Sequence, residues 1–389
     1  MGCVSELTVS NKMFKFIPSE VFLCCTTYIF YLSVSKSELK IMNKTRFLIF
    51  RGKFDGFYIN TITMTVKTNF SKEKLSEIIS KYDLGELKEN KPFSSGTVQT
   101  NIFFETIKGK FVFRLYENRS KESVLFESHL IQYLNKHNYP CPNVFKNKNE
   151  EFVGVFNKKP YVIFEFVEGE HIENPTEDQK RQLTQKVAEL QNLTKDYEPF
   201  NKECRWNYNI ELCSKLAKQE AKKIKTDNSK RKCKWVENEL LKLELPKSLP
   251  KGICHCDFHF SNVLFKDGKF NALIDFDDAN YTFLVFDLVC LINPFTPEFD
   301  WNTWKKYKKN DNVFDFGETR KVISEYSKYR PLDNNEKKYL FDVFKLSILF
   351  DCIWFFERGD VEDFFEKRKI DYLNSLGREN FNNEIFDYD

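Results

Sequence analysis

Apolar and polar positions recur along this chain with two different periods, and the change from one to the other divides it. Ile102 to Thr106 and Lys110 to Tyr116 (KFVFRLY) alternate like strands, with Lys108-Gly109 as the turn between them. Tyr161 to Val167 (YVIFEFV) reads as a third strand, closed by Glu168-Gly169. Two helices are predicted around these strands. Ser71 to Tyr82 carries Leu75, Ile78 and Ile79 behind a Ser N-cap candidate. Ser123 to His137 carries Leu130, Ile131 and Leu134 on one face and stops before Pro140 and Pro142. After Gly169 the period lengthens to that of helices: Gln182 to Leu193, then Glu318 to Leu332, Glu336 to Arg358 and Val361 to Leu376. Only Ile253 to Ile274 returns to short strands, around a loop.

This order predicts an α+β, bilobal architecture. A small antiparallel-sheet lobe spans residues 64–167 and a larger, mainly helical lobe spans 168–389. The linker lies near Glu165 to Gly169, with a ligand cleft between the lobes. Residues 1–63 stand apart. Their apolar run, Val21 to Val34, is fourteen residues long, whereas a membrane-spanning helix needs about 20. Lys12 and Lys15 precede it as they would a signal peptide's apolar region, but no small-residue cleavage site follows. We read 1–63 as an extension outside the catalytic fold, with Met64 as an alternative start. An added strand or helix, or a targeting segment, are the other readings.

Composition narrows the class. Apolar residues make up 41% and charged residues 30%, which suits a globular protein. A net charge of +3 gives no electrostatic case for a nucleic-acid partner, and the basic stretch Lys215 to Lys234 is expected to be a solvated helix face. The eleven cysteines are odd in number and form no C-x-x-C pair, which argues against a disulfide framework or a zinc ribbon. A reducing, cytoplasmic setting without membrane attachment is expected.

The chemistry concentrates in Gly252 to Asp287. His255-x-Asp257-x-x-x-x-Asn262 is followed by a hairpin turning at Asp267-Gly268, then by Ala272-Leu273-Ile274-Asp275. Phosphoryl transfer asks for an oriented hydroxyl, metal ions that offset phosphate charge, and a cation on the nucleotide phosphates. A loop Asp accepts the hydroxyl proton, an Asn five residues on turns back to magnesium, and an Asp at a strand end supplies a charged ligand to the same ion. His255 is expected to brace the loop. A His and carboxylate metal cluster at His255, Asp257 and His259 is an alternative, as is a loop with incidental polar residues.

The stretch HCDFHFSNVLF…LIDFDDA…FDLV resembles the aminoglycoside phosphotransferase superfamily, whose pattern is close to HGDLHxxNVL…xIDFxxA…xDLA. The likeness extends over roughly Lys81 to Tyr372. Tyr82-Asp83-Leu84-Gly85-Glu86-Leu87, Asn101, Pro140-Cys141-Pro142 and Tyr329-Arg330-Pro331-Leu332 are similar to the homoserine kinase members, whereas His259 fits a generic member better. The resemblance implies a protein-kinase-like fold and a kinase that uses ATP and Mg²⁺ on a hydroxyl of a small polar metabolite. It implies Asp257 as catalytic base, with His255 and Asn262 in the catalytic loop, and Asn262 and Asp275 on magnesium. Arg114 would contact phosphates, paired with Glu127. Ser94, Ser95 and Gly96 would cover the phosphates, Glu165 to Val167 would offer backbone groups to adenine, and Asp287 would brace the loop. There is no G-x-G-x-x-G, and Gln191 stands where many relatives carry His. Asp277 and Asp278 would either receive a substrate ammonium group or be solvated. Trp301, Trp304, Trp354, Phe355 and Phe356 would line the acceptor pocket or belong to the core. The alternatives are a Ser/Thr protein kinase of the same fold, for which an A-P-E-like segment is absent after Asp275, and a catalytically silent binding module.

Overall fold

Strand alternation sorts side chains onto the two faces of one sheet, and that sorting shapes the smaller lobe. The computed structural model describes residues 21–25, 28–32, 68–93, 98–292, 314–354 and 356–386. The chain forms two units, Met1–Met64 and Thr65–Asp389. In the first, β1 (Val21–Cys25) and β2 (Tyr28–Leu32) pair antiparallel, with Val21 opposite Leu32, so the early apolar run is a hairpin.

The second unit opens with α1 (Lys72–Ile79), whose first turn is capped by the Ser71 hydroxyl accepting the Lys74 N–H. There follow β3 (Leu87–Pro92), β4 (Thr100–Thr106), β5 (Gly109–Leu115), α2 (Lys121–Lys136), β6 (Val144–Phe145), β7 (Gly154–Phe156) and β8 (Lys159–Glu165). All six strands form one antiparallel sheet in the order β3-β4-β5-β8-β6, with β7 also on β8. Phe111, Phe113, Leu115, Tyr161 and Ile163 pack with α1 in a small core, while Val162 and Phe164 face α2 and the large core. The same alternation turns Arg114 toward α2. The polar edge strand β3 (LKENKP) and the very short β6 and β7 give too little periodic signal to be predicted.

After β8 come α3 (Glu177–Leu193), α4 (Ile210–Ile224), α5 (Asp227–Leu240), β9 (Lys251–Cys254), β10 (Val263–Lys266), β11 (Lys269–Leu273), β12 (Asn280–Phe283), α6 (Val285–Ile292), α7 (Phe316–Tyr329), α8 (Asn334–Trp354) and α9 (Phe365–Phe386). β9 pairs with β12, and β10 with β11 through a turn in which Asp267 and Gly268 both have positive φ, 51° and 73°. Among the described residues no helix is long and apolar enough to cross a membrane.

The basic stretch 215–234 spans two helices, and its Lys and Arg side chains are exposed as expected, with Lys232 as the exception. Left-handed Lys225 ends α4, and Thr226 caps α5. Lys232 is fully buried: its Nζ donates to the Phe356 and Arg358 carbonyls at 3.2 and 2.5 Å and lies 4.4 Å from the Phe364 ring centroid. Burial pulls its ammonium down to about 8. Phe356 is buried in the large core, while Trp301, Trp304, Phe355 and the Trp354 side chain lie outside the described residues.

Between the lobes the chain is stitched to β10. Glu170 and Phe265 exchange two backbone hydrogen bonds of 2.9 Å. Gly169 sits so close that a Cβ would come within 2.9 Å of Leu264 Cβ and of the Phe265 carbonyl oxygen. Gly169→Ala therefore forces the backbone apart, and we expect it to lower the unfolding free energy by about 1–3 kcal/mol in urea denaturation.

Candidate active site

The loop that follows β9 is held from beneath by a single carboxylate. Asp287, in the first turn of α6, is fully buried; its Oδ2 accepts the His255 N–H at 2.9 Å and its Oδ1 the Cys256 N–H at 2.7 Å. Burial pushes this carboxyl up to about 7 against those two hydrogen bonds. Cys256 has φ 63°, in the left-handed region, at the position where the superfamily pattern has glycine. His255 Nε2 lies 3.0 Å from the Ile274 carbonyl. A carbonyl only accepts, so Nε2 carries the proton. Burial pulls the imidazole down to about 4, so it is neutral at physiological pH. His255 thus fastens the catalytic loop to the strand that ends at Asp275.

Asp257 is the first loop residue open to solvent. Asn262 Nδ2 donates to its Oδ2 at 2.7 Å and to its carbonyl at 3.0 Å. Poor hydration first, then the neighbouring charges of Asp278, Asp275 and Asp351, push the Asp257 carboxyl up to about 7, and the Asn262 hydrogen bond opposes this. His259 points elsewhere: its Nδ1 accepts the Ser261 N–H at 3.2 Å. His255, Asp257 and His259 therefore do not converge, and no group of three or more His, Cys, Asp or Glu among the described residues could hold a metal.

Asp275 follows β11 with φ 63°. The Ile274 N–H donates to the Asn262 carbonyl at 2.9 Å, which sets Asn262 and Asp275 side by side. Across the cleft, Arg114 from β5 donates Nη1 to Asp275 Oδ1 at 2.7 Å and Nε to Asn101 Oδ1 at 2.8 Å. Asn101 is the β4 residue directly opposite Arg114. Glu127 on α2 is 4.0 Å from the same Nη1. The expected Arg114–Glu127 pair is therefore loose, because Asp275 is nearer and takes the guanidinium. Glu127 is buried, one of its oxygens has no hydrogen-bond partner among the described residues, and burial raises its carboxyl to about 7 despite Arg114.

Asp277 and Asp278 are neither solvated nor free. Arg119, just before α2, donates Nε to Asp277 Oδ1 at 2.8 Å and Nη2 to Asp278 Oδ1 at 2.9 Å. Gln99 adds a 2.8 Å bond to Asp277 Oδ2. Arg205 is buried and bonds the carbonyls of Phe276, Asp277 and Ala279 together with the carbonyl and hydroxyl of Ser123, at 2.6–3.1 Å. Arg119 and Arg205 carried no motif in the sequence. Their only signal is an isolated Arg next to helix caps, which many surface residues share.

A buried loop braced by one carboxylate, an exposed Asp held by an Asn, and a second Asp facing an Arg from the sheet make an arrangement suited to phosphoryl transfer. Residues 89–321 match the phosphotransferase enzyme family. The chain belongs to that family. Homoserine kinases are among its relatives. One from Bartonella tribocorum is 27% identical over 280 residues, covering 69% of this chain and 81% of the relative. One from Rhodopseudomonas palustris is 26% identical over 313 residues, covering 80% and 88%. Among solved structures, an amicoumacin kinase superposes with TM-score 0.53 at 15% identity, covering 81% of this chain and 94% of that one. A spectinomycin phosphotransferase does so with TM-score 0.51 at 14%, covering 82% and 98%. The fold is thus protein-kinase-like, and the enzyme is a kinase that moves a phosphoryl group from ATP to a small molecule. These relatives do not favour the protein-kinase alternative.

In this kinase the remaining predicted residues fall as follows. Ser94, Ser95 and Gly96 lie outside the described residues. The Glu165 side chain accepts from Asn143 N and Nδ2 at 3.2 and 2.6 Å, and its N–H donates to the Asn143 carbonyl, so of its polar groups only the carbonyl is left to offer a nucleotide. Val167 is half-buried and forms no backbone hydrogen bond among the described residues. Gln191 is buried behind the catalytic loop, with Nε2 on the Leu284 carbonyl at 2.8 Å and Oε1 accepting from Tyr326. Asp287→Asn leaves one loop N–H facing an amide NH₂. We expect a loss of about 1.5–3 kcal/mol in unfolding free energy together with a fall in turnover, read by urea denaturation and ADP release.

Proposed function

We propose that this kinase phosphorylates the side-chain hydroxyl of homoserine or a closely similar amino-bearing alcohol, using Mg-ATP, with Asp257 as the base. The observation that carries the proposal is the exposed Asp257 carboxylate, held by Asn262 through Oδ2 alone, beside Asp275. Oδ1 is left to take the acceptor's hydroxyl proton as its oxygen attacks the terminal phosphorus. The likeness to homoserine kinases, over 81% and 88% of their own length, supports the choice of acceptor.

Asn262 and Asp275 fit Mg²⁺ by the chemistry of their donors. With Asn262 Nδ2 turned to Asp257, its oxygen remains as a hard ligand, and Asp275 adds an anionic one. Two protein ligands suit an ion that keeps its waters and phosphate oxygens. When bound there, Mg²⁺ would offset charge on the β- and γ-phosphates. Arg114, oriented by Asn101, supplies a fixed cation to the same phosphates. Glu127 lies behind Arg114 as its second carboxylate, and Val167 and the Glu165 carbonyl would offer backbone groups to the adenine. A cytoplasmic location belongs to the same reading, supported by the free thiols of Cys141, Cys213, Cys254, Cys256 and Cys352.

The direct test is ADP release from Mg-ATP with homoserine, ethanolamine, choline, methylthioribose, fructosamines and aminoglycosides as acceptors. Stimulation by homoserine, abolished in Asp257→Asn with Mg-ATP binding retained, is the expected result. Near-normal turnover in that variant removes Asp257 from its role, and stimulation by another compound alone replaces homoserine. The pH profile is a second test. A base whose carboxyl is raised to about 7 works deprotonated, so kcat/KM should climb with pH through about 7 and level off above it. A flat profile between about pH 5.5 and 8.5 contradicts the assignment.

A further inference from the structure

Gln99, immediately before β4, and Asn101 within it are two residues apart and so share a face of the strand. Both work on the pair formed by Arg114 and Asp275, from opposite ends. Asn101 Oδ1 accepts the Arg114 Nε–H at 2.8 Å. Gln99 Nε2 donates to Asp277 Oδ2, two residues past Asp275, at 2.8 Å.

The Gln99 amide has one orientation. Its Oε1 accepts the Glu117 N–H at 2.7 Å, and a backbone N–H can only donate. Nε2 is therefore turned to Asp277 and to Asn118 Oδ1, which it meets at 3.0 Å. The side chain is buried, and each of its polar atoms is used. Asp277 is equally committed. Its Oδ1 accepts Arg119 Nε at 2.8 Å, and the Trp206 ring lies 4.1 Å from that guanidinium. Arg119 already meets the charge of Asp277, so what Gln99 adds is direction. Asp277 sits in a single 3₁₀ turn, Phe276–Asp278, closed by the Ala279 N–H on the Phe276 carbonyl at 3.0 Å. That turn starts at Asp275, whose φ is 63°. So short a turn has little slack, and whatever holds Asp277 also aims Asp275.

We propose that Gln99 is a positioning residue for the metal site. Acting through Asp277 it aims Asp275, while Asn101 aims Arg114, so the metal ligand and the phosphate cation are both set from one end of β4. Gln99 itself touches neither Asp275 nor Arg114 among the described hydrogen bonds. The inference rests on the Mg-ATP reading above.

The test follows the binding of a non-hydrolysable ATP analogue by calorimetry, over a range of Mg²⁺ concentrations and in EDTA. Gln99→Glu keeps an acceptor for the Glu117 N–H and turns the donor facing Asp277 into a second acceptor. Groups bonded directly to a metal ligand are worth about 10- to 100-fold in metal affinity; Gln99 acts one step further out, so the Mg²⁺ concentration for half-maximal analogue binding should rise about 3- to 10-fold. Binding in EDTA should stay as in the wild type. Gln99→Met, which removes the donor without adding charge, should shift the Mg²⁺ requirement the same way. Combining Gln99→Glu with Asp277→Asn exchanges donor and acceptor and restores the bond, so the requirement should return to within about 2-fold of the wild type. An unchanged Mg²⁺ requirement in both single variants overturns the proposal. Equal losses with Mg²⁺ and in EDTA, not recovered by the exchange, overturn it too, by making Gln99 a packing residue of the smaller lobe. Analogue binding by the wild type that is indifferent to Mg²⁺ overturns the metal reading and this proposal with it, and that failure is recognised before any variant is compared.

Discussion

Arg205 is the group on which the arrangement of the cleft depends. A buried guanidinium has five N–H donors and no way to lose its charge, so its pocket must supply acceptors on all sides. Here they are the carbonyls of Phe276, Asp277 and Ala279 from the loop after Asp275, and the carbonyl and hydroxyl of Ser123 on α2. The face of the Phe126 ring, 4.9 Å away, completes the pocket. One side chain therefore ties the larger lobe's loop after Asp275 to the helix that carries Glu127. Because α2 packs on the sheet that holds Arg114, the distance between Arg114 and Asp275 follows from the Arg205 clamp.

A second constraint acts on the backbone. Cys256 and Asp275 both adopt left-handed conformations at φ 63°. Such conformations cost a non-glycine residue of order 1 kcal/mol or more and persist only where the surroundings over-determine them. At Cys256 the two oxygens of Asp287 do this by capturing consecutive N–H groups. At Asp275 the His255 ring holds the preceding carbonyl, and Asn262 holds the preceding N–H. Both twists serve the same end: each turns a carboxylate out of a buried strand and into the cleft. The protein accepts a cysteine where glycine would be relaxed because this network fixes the turn without it.

What can be read in the sequence follows the range of the interactions. Asp257, Asn262 and Asp275 lie in one short segment, and a hairpin of known geometry joins them, so their proximity is a local property. The strands β4, β5 and β8 announce themselves by alternation. The cross-lobe partners do not. Arg119 meets Asp277, and Arg205 meets Phe276, across separations that only the tertiary fold closes. The expected Arg114–Glu127 pair forms, but it is the longer of the two that Arg114 makes. Coulomb attraction falls with distance, and the chain brings Asp275 to 2.7 Å while Glu127 stays at 4.0 Å. Likewise, a lysine in a basic run looks solvated until the turn after α8 closes over it, as it does over Lys232.

The charge pattern links these pieces to function. Asp257, Asp275, Asp277 and Asp278 come from two short loops and face one cleft. Arg119 engages Asp277 and Asp278, Arg114 engages Asp275, and Asp257 has only the neutral amide of Asn262. Poor hydration, and after it the charges of Asp278, Asp275 and Asp351, push its carboxyl up to about 7. In the proposed reaction a triphosphate would bring more negative charge into this field and oppose the ionisation of Asp257, and the Arg114 guanidinium, together with Mg²⁺ held by Asn262 and Asp275, would offset that charge.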